Sequence, residues 1–242
     1  MIENIIIPMA GLGQRFKKNN FSTIKPLILI ENTTILENSI KELPPAKRKY
    51  CILKKNIFDK YSLIKKILNK NKISPYLLSA DTLGQSDTCY KIINYINPKE
   101  DLFIHSCDYV MKYSYKKFIK QMNGADVIIF TYKLKSTIVK NYNDYAYCLE
   151  HNGIVKKIVE KKTVSQNPSE DHMIVGSFWF KNSKDFFDMH DIALKKGLYV
   201  NKELYVANNI NILIKQKKKV KIFEVDHWKN LGDVFSYKQY IY

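Results

Sequence analysis

Short apolar runs alternate with amphipathic segments through the first half of the chain. Runs of roughly four to eight residues, bounded by polar or turn-forming residues, predict buried strands. They fall at Asn4 to Pro8, Tyr50 to Lys54, Ser74 to Ser79, Asp101 to Cys107 and Asp126 to Tyr132. Apolar residues at helical spacing predict helices between them, at Ile35 to Leu43, Phe58 to Leu68, Ser86 to Ile96 and Tyr113 to Met122. This alternation predicts an α/β fold with a doubly wound, mostly parallel sheet.

The second half of the chain has a different pattern. Two alternating runs, Ala146 to Leu149 and Val155 to Val159, flank His151-Asn152-Gly153, and this arrangement predicts a β-hairpin. Further periodic runs predict a strand, two helices and a closing strand, at Ile174 to Phe180, Lys184 to Leu194, Lys202 to Lys215 and Lys219 to Val225. We therefore expect a single domain over residues 1–242, with a small β-rich insertion in its second half.

The large net charge of the chain has little effect on the predicted class of protein. The formal net charge is +17, and of the 40 basic residues only Arg15 and Arg48 are arginine. The lysines are spread along the whole length together with many Asn and Ile residues, which favours a compositional bias over a nucleic-acid surface. A basic nucleic-acid-binding protein is kept as an alternative, and a positive surface would in any case attract an anionic nucleotide.

The rest of the composition narrows the class of protein. The four cysteines are scattered and form no C-x-x-C pair, and the five histidines show no metal-ligand spacing. No apolar stretch approaches the roughly 20 residues that cross a bilayer, and the N-terminus begins directly with a strand pattern. We expect a cytoplasmic protein with buried free thiols and with no membrane or nucleic-acid partner.

The first predicted strand leads into a loop with two glycines. Ile5-Ile6-Ile7-Pro8 is followed by Ala10-Gly11-Leu12-Gly13-Gln14-Arg15-Phe16. The glycines allow a tight turn and a close approach of the backbone to a ligand, and amides at a helix N-terminus favour an anion. Arginine in so lysine-rich a chain indicates a planar, two-pronged phosphate donor at Arg15. The P-loop pattern is absent, and Phe16 stands where a dinucleotide fingerprint has its third glycine.

The loop occurs together with Lys25-Pro26-Leu27, which follows nine residues beyond Phe16. This combination resembles the signature of nucleotidyltransferases that activate sugar 1-phosphates and similar phosphorylated acceptors. The resemblance implies a Rossmann-like nucleotidyltransferase fold, with residues 1–135 as the nucleotide-binding half and 136–242 as the acceptor-binding and closing half. It implies catalytic roles for Arg15 and Lys25. It also implies nucleotide contacts from the loop, at Ala10, Gly11, Gly13 and Gln14.

Later segments extend the resemblance. Asp81-Thr82-Leu83-Gly84-Gln85-Ser86 resembles the segment that packs on the nucleotide base, with Gly84 and Gln85 nearest the base or ribose. Asp108, after a predicted strand, matches the aspartate that holds the catalytic Mg²⁺. The resemblance also implies an acceptor site in the second half, formed by Tyr145, Glu160, Lys161 and Gly176.

Two positions depart from the family pattern. Ala146 stands where the family usually has glycine after a tyrosine, so a backbone contact to the acceptor changes there. In the closing segment Trp228 to Asp233, Asn230 replaces the second metal-binding aspartate. We expect Asp233, or else Asp226, to take its place, or Asp108 to hold the metal together with the nucleotide phosphates.

The resemblance implies a magnesium-dependent enzyme that transfers a nucleotidyl group from a nucleoside triphosphate to a phosphorylated acceptor. CTP is slightly favoured. The acceptor is expected to be a sugar 1-phosphate or a non-sugar phosphate such as phosphocholine or phosphoglutamine, for capsule or lipopolysaccharide assembly. A catalytically inactive nucleotide-binding regulatory module is an alternative. Apolar elements near the C-terminus could supply a homodimer interface.

Overall fold

The computed structural model describes residues 1–11, 13, 16, 18–19, 21, 23–134 and 139–239. The strands in these ranges are β1 (Ile2–Met9), β2 (Leu29–Ile30), β3 (Thr33–Thr34), β4 (Ala46–Lys54), β5 (Ser74–Leu78), β6 (Leu102–His105), β7 (Tyr109–Lys112), β8 (Val127–Tyr132), β9 (Ala146–His151), β10 (Ile154–Glu160), β11 (His172–Phe180), β12 (Val220–Glu224) and β13 (His227–Asn230). The α-helices are α1 (Ile35–Ile40), α2 (Lys55–Lys60), α3 (Ser62–Lys70), α4 (Gln85–Tyr90), α5 (Tyr115–Met122), α6 (Ser183–Lys195), α7 (Val206–Lys215) and α8 (Val234–Lys238).

In the described ranges, a nine-stranded sheet has the order β5-β4-β1-β6-β11-β8-β12-β10-β9. β1 pairs in parallel with β4 and β6, β4 pairs in parallel with β5, and β8 pairs in parallel with β12. β11 and β10 run antiparallel to their neighbours. The prediction of a mixed α/β fold with a mostly parallel central sheet is therefore confirmed.

Alternate side chains of the central strands point to opposite faces and build two apolar layers. Ile5 and Ile7 of β1 belong to one buried cluster and Ile6 belongs to the other. Helices contribute to both layers, with Ile64 of α3 in the first cluster and Ile210 of α7 in the second. The layers fix the strands in place, and with them the loops at their carboxyl ends.

β11 belongs both to the open sheet and to a closed group of strands. Besides β6 and β8 it pairs with β9, through His172 and Met173. The strands β11, β8, β12, β10 and β9 therefore form a closed ring. The hairpin predicted around Asn152-Gly153 is present as β9 and β10, and it forms part of this ring.

Helix boundaries differ from the prediction where local backbone conformation intervenes. The helix predicted from Phe58 to Leu68 is divided into α2 and α3, because Tyr61 is extended, with φ −113° and ψ 94°. The helix predicted from Lys202 begins at Val206. Asn201 and Lys202 have left-handed φ angles of 49° and 67° and form a turn instead.

Three further features are plain from the structure. No helix in the described part of the chain combines the length and the apolar character needed to traverse a lipid bilayer. The four cysteines are buried thiols without disulfide bonds. His105 is fully buried, and both of its ring nitrogens lie within hydrogen-bond distance of oxygen atoms, in Ser177 and Ser39.

Candidate active site

The loop after β1 lies at the carboxyl end of a sheet strand, the position where α/β folds bind ligands. Ala10 is buried, whereas Gly11 is exposed and a Cβ on it would meet only open space. Gly13 has a φ of +60°, and a Cβ on it would lie 3.7 Å from the Cβ of Lys25. The second glycine thus brings the loop close to Lys25. Gln14 and Arg15, both singled out from the sequence, lie outside the described residues.

Lys25 and Asp108 form an ion pair at this edge of the sheet. Lys25 begins a short 3-10 helix, Lys25–Leu27, and Asp108 follows β6. Lys25 Nζ lies 2.8 Å from Asp108 Oδ2, and the two side chains are 19% and 33% exposed, so a ligand can reach both. Asp108 is not the cap of the following helix, because the Ser114 side chain accepts the hydrogen bond at the start of α5.

The closing segment returns to Asp108 through a short antiparallel ladder. β13 pairs with β7, and Leu231 N donates to Asp108 O at 2.9 Å. The Asn230 amide is held on both sides, because its Nδ2 donates to Asp233 Oδ2 at 2.5 Å and its Oδ1 accepts from Gly232 N at 2.8 Å. Asn230 and Asp233 are thus presented beside Asp108 as one hydrogen-bonded unit.

Gly232 leaves a space between two oxygen atoms. A Cβ on this residue would lie 2.9 Å from Asp108 Oδ2 and 3.1 Å from Asn230 Oδ1. Both are oxygen atoms of the kind that act as ligands to Mg²⁺. This ion commonly binds one or two protein carboxylates and completes its coordination shell with phosphates and water. Asp108 and Asn230 therefore fit a magnesium ion that is bound together with nucleotide phosphates, whereas the described residues contain no group of three or more His, Cys, Asp or Glu side chains that could hold a metal by themselves. Asp226 precedes β13, roughly 13 Å along the chain from Asn230, and Asp233 is the carboxylate in contact with Asn230.

Gly84 lies where the backbones of two segments meet. Its φ is +113°, and a Cβ on it would lie 2.8 Å from Leu204 N, so a larger residue would force the segments apart. Leu204 N donates to Leu83 O at 2.6 Å, and Ser86 N donates to Leu204 O at 2.9 Å. The segment predicted to contact the base is therefore anchored by main-chain hydrogen bonds.

Gln85 extends from this segment towards the strand that carries Gly176. Its Nε2 donates to Ser106 Oγ at 2.6 Å, and Ser106 Oγ donates to Gly176 O at 3.2 Å. Gly176 has a φ of +99° and lies at an irregularity in the pairing of β11 with β8. The predicted base and acceptor segments are thus connected through a single side chain.

The other predicted acceptor residues lie at the ends of β9 and β10. Tyr145 lines a pocket with a volume of about 160 Å³. The other residues that line it include Asp108, Asn230, Gly232 and Asp233. Lys161 Nζ donates to the carbonyl oxygen of Asp144 and lies 5.7 Å from the centre of the Tyr205 ring.

Glu160 differs from Asp108 and Asp233, because its buried Oε2 atom has no hydrogen-bond partner among the described residues. Burial raises the pKa of Glu160 to about 7, with Lys161 lowering it and Glu203 raising it further. A buried polar group without a partner costs free energy. A ligand that donates a hydrogen bond to this carboxyl would recover part of that cost.

Solved structures of other proteins share this architecture. The nucleoside-diphosphate-sugar pyrophosphorylase from Vibrio cholerae RC9 has a TM-score of 0.78 at 17% identity, over 98% of this chain and 99% of that one. The inositol-1-phosphate CTP transferase from T. maritima has a TM-score of 0.73 at 14% identity, over 99% and 95%. The UDP-glucose pyrophosphorylase from Acinetobacter baumanii has a TM-score of 0.69 at 16% identity, over 100% and 92%. The chain has the nucleotidyltransferase fold. Searches with the sequence match neither a protein-family model nor a curated protein.

The nucleotidyltransferase fold brings several of the predicted residues together. One pocket is lined by Asp108, Tyr145 and Asp233. Lys25 forms an ion pair with Asp108, and Gly13 lies close to Lys25. Glu160 and Lys161 are not among the described residues that line this pocket. They lie beside it, because Glu160 ends β10 opposite Ala146 and Lys161 N donates to Tyr145 O at 3.0 Å.

Sequence reasoning did not single out two residues that the nucleotidyltransferase fold places between the predicted segments. Ser106 stands two positions before Asp108, and only its hydroxyl group could have drawn attention to it in the sequence. Leu204 carries no polar side chain, and its role depends on its main-chain atoms. Only the folded arrangement reveals such a contact.

Proposed function

We propose that this protein transfers a nucleoside monophosphate group from a nucleoside triphosphate to the phosphate of a small acceptor and releases pyrophosphate. The observation that supports this best is the Lys25–Asp108 ion pair beside the space above Gly232, next to the glycine loop. A cationic side chain and a set of hard oxygen donors are thereby available where a nucleotide's phosphates would enter.

The reaction needs little acid–base machinery. A phosphate monoester is largely dianionic near neutral pH, since its second pKa is about 6. One of its oxygen atoms forms a new bond to the α-phosphorus, and the bond between the α-phosphorus and the bridging oxygen breaks, so that pyrophosphate leaves with that electron pair. The obstacle is the approach of two polyanions, and catalysis depends on positioning and charge neutralisation.

Each predicted residue has a role in this scheme. Lys25 neutralises charge at the α-phosphorus, and Arg15 with the loop binds the β- and γ-phosphates. A magnesium ion held by Asp108, with Asn230 or Asp233, would supply further neutralisation of the triphosphate when bound. Base or ribose contacts come from Gly84 and Gln85. Acceptor contacts come from Tyr145, Glu160, Lys161 and Gly176.

CTP is the nucleotide we favour, and the acceptor is a sugar 1-phosphate or a phosphorylated non-sugar such as phosphocholine or phosphoglutamine. One structural neighbour bears the name of an inositol-1-phosphate CTP transferase, which supports this combination. The products of such a reaction are activated precursors of the kind used in capsule or lipopolysaccharide assembly. The departures at Ala146 and Asn230 favour an acceptor outside the common hexose phosphates.

Pyrophosphate release tests the proposal directly. CTP, UTP, dTTP, GTP and ATP are each combined with magnesium and with a panel of phosphorylated sugars and non-sugar phosphate esters. We expect release with one nucleotide, dependent on one class of acceptor and lost in Asp108→Ala. Release that persists at the wild-type rate in Asp108→Ala would contradict the assigned site.

Asn230 favours a second candidate, a nucleotide-binding regulatory module without turnover. It places a neutral amide where the family pattern has a carboxylate, and its amide nitrogen is bonded to Asp233. A pure binder would bind nucleotide and release no pyrophosphate at any magnesium concentration. Turnover at millimolar magnesium would exclude this candidate.

A further inference from the structure

Ser106 occupies the position where three parts of the site meet. It follows β6 and stands two residues before Asp108. Its Oγ accepts from Gln85 Nε2 at 2.6 Å and donates to Gly176 O at 3.2 Å. Its main-chain N donates to the same Gly176 oxygen at 3.3 Å. One small, half-buried residue therefore contacts the predicted nucleotide segment and the predicted acceptor strand.

The backbone of Gly176 is shaped for this contact. Its φ of +99° lies in the left-handed region, and the register of β11 against β8 shifts between Ile174 and Phe178. A Cβ at this position would lie 3.0 Å from Ser106 Oγ and 3.3 Å from a ring carbon of Tyr109. Bulges of this kind re-aim backbone groups beside functional sites, and here the carbonyl of Gly176 is aimed at Ser106.

The Ser106 hydroxyl has a defined direction in this arrangement. A hydroxyl carries one proton, and Gly176 O can only accept, so the proton lies between Ser106 and Gly176. The lone pairs of Ser106 Oγ then accept from Gln85. Hydrogen bonds joined in one chain polarise one another. A change in the position of Gln85 therefore changes the geometry at Gly176.

We propose that Ser106 is a positioning residue that couples nucleotide binding at Gln85 to the alignment of the acceptor strand at Gly176. This rests on the proposed function, which places the base or ribose at Gln85 and the acceptor at Gly176. With nucleotide bound, Gln85 is fixed, Ser106 holds the Gly176 carbonyl, and the acceptor strand takes one alignment. Nucleotide binding then strengthens acceptor binding, and acceptor binding strengthens nucleotide binding by the same factor.

Ser106→Ala tests this coupling without removing the strand. The main-chain hydrogen bond from residue 106 to Gly176 O remains, so the pairing of β6 with β11 is retained. Ser183→Ala is the matched control. Ser183 is also a serine whose hydroxyl donates a hydrogen bond to a main-chain carbonyl, with its Oγ 2.9 Å from Asn97 O, and it lies in α6 outside the site. Each protein is studied with magnesium and the triphosphate that supports pyrophosphate release, CTP being tried first.

Hydrogen–deuterium exchange gives the first readout. In the wild type and in Ser183→Ala, we expect the nucleotide to slow exchange both in residues 81–87 and in residues 172–178. In Ser106→Ala, protection of 81–87 should persist while protection of 172–178 falls at least about fivefold, the lower end of measured couplings. Equal protection of 172–178 in Ser106→Ala and wild type would overturn the proposal.

Steady-state kinetics gives the second readout. Ser106→Ala should raise the KM for the acceptor at saturating nucleotide by about fivefold and leave the Kd of the nucleotide for the acceptor-free protein within about twofold of the wild type. The double variant Gln85→Leu/Ser106→Ala should be no worse than the more impaired single variant, because the two residues act in one chain. Additive losses, or an acceptor KM that does not change in Ser106→Ala, would contradict coupling. A wild-type protein that binds nucleotide but shows no turnover would instead contradict the proposed function.

Discussion

The metal side of the site, formed by Asp108, Asn230 and Asp233, differs from its acceptor side, which includes Glu160, in how the carboxyl groups are hydrogen-bonded. On the metal side, Asp108 is paired with Lys25, and Asp233 accepts from Asn230. On the acceptor side, the Oε2 atom of Glu160 has no hydrogen-bond partner among the described residues, and burial raises the pKa of this group to about 7. The difference indicates that the metal side is arranged before ligands bind, whereas the acceptor side is completed by its ligand.

The largest expected effect comes from Lys25→Met. Loss of a cation at the reacting phosphate should reduce kcat by about 100- to 1,000-fold, as for other electrostatic donors. The same change releases Asp108 Oδ2 from its ion pair, so Mn²⁺ binding to the nucleotide-free protein, followed by electron paramagnetic resonance, should become tighter.

Lys218→Met is the control for that experiment. Lys218 Nζ forms a comparable ion pair, 2.9 Å from Asp185 Oδ1, away from the pocket. We expect this variant to keep both the turnover and the Mn²⁺ affinity of the wild type. Near-normal turnover in Lys25→Met would contradict the catalytic role of Lys25, and an unchanged Mn²⁺ affinity would contradict a prearranged metal side.

Glu160→Gln tests the acceptor side. The folded pKa of Glu160 is about 7 against an ordinary value of 4.5, so the folded protein keeps a proton that the unfolded chain releases between these values. The contribution of Glu160 to the free energy of unfolding therefore falls as pH rises from 4.5 to 7. Glu160→Gln should be more stable than the wild type by up to about 3 kcal/mol at pH 8, with little difference at pH 4.5, and should bind acceptor more weakly.

Urea unfolding at pH 4.5, 6 and 8 measures this difference. Glu31→Gln, at an exposed glutamate, is the control and should give a pH profile parallel to that of the wild type. A difference between Glu160→Gln and wild type that stays constant from pH 4.5 to pH 8 would show that the carboxyl is already satisfied.

Gly232→Ala returns to the metal side with a smaller effect. The new methyl group would lie 2.9 Å from Asp108 Oδ2, in the space proposed for the metal. We expect the magnesium concentration for half-maximal turnover to rise by about tenfold, a change of about 1.4 kcal/mol, with kcat at saturating magnesium less affected. An unchanged magnesium requirement would place the ion elsewhere.

Asn230→Asp has the smallest expected effect. It should lower the stability of the protein without magnesium and raise it with magnesium. Without metal, the variant loses the hydrogen bond from Asn230 to Asp233 and places two carboxylates together, which should cost about 1 kcal/mol of stability. Magnesium would bind between the carboxylates and reverse this loss. Thermal unfolding with and without magnesium measures both effects, and a variant whose melting temperature ignores magnesium would show that residue 230 is not a ligand.

The sequence predicted the layers of the fold because the central strands are short, strongly apolar runs. It did not predict the ladder of β7 and β13, since Tyr109–Lys112 and His227–Asn230 are four-residue strands that contain charged or polar residues. That ladder brings Asn230 beside Asp108. Their proximity followed in the sequence analysis only from the family resemblance, and the pattern of apolar positions alone carried no information about it.

Sequence reasoning singled out residues of the candidate site where a residue type in its local pattern is itself informative. Gly84 and Asp108 stand out as a glycine before a helix pattern and a carboxylate after a strand pattern. The unsatisfied state of Glu160 could not be inferred, because it depends on which groups from other strands surround it. The contacts of Ser106 could not be predicted for the same reason, because tertiary packing decides which groups a serine hydroxyl meets.

The closed ring of β11, β8, β12, β10 and β9 also affects how the chain meets other copies of itself. In the described residues the nine-stranded sheet ends at β5 on one side, while on the other side β9 turns back onto β11. An open edge can recruit further strands and seed aggregation. Pro75 lies within β5, and its ring removes an amide donor from that edge. Closure at one end and a proline at the other thus protect a strand-rich, lysine-rich chain from growing into sheets at high concentration.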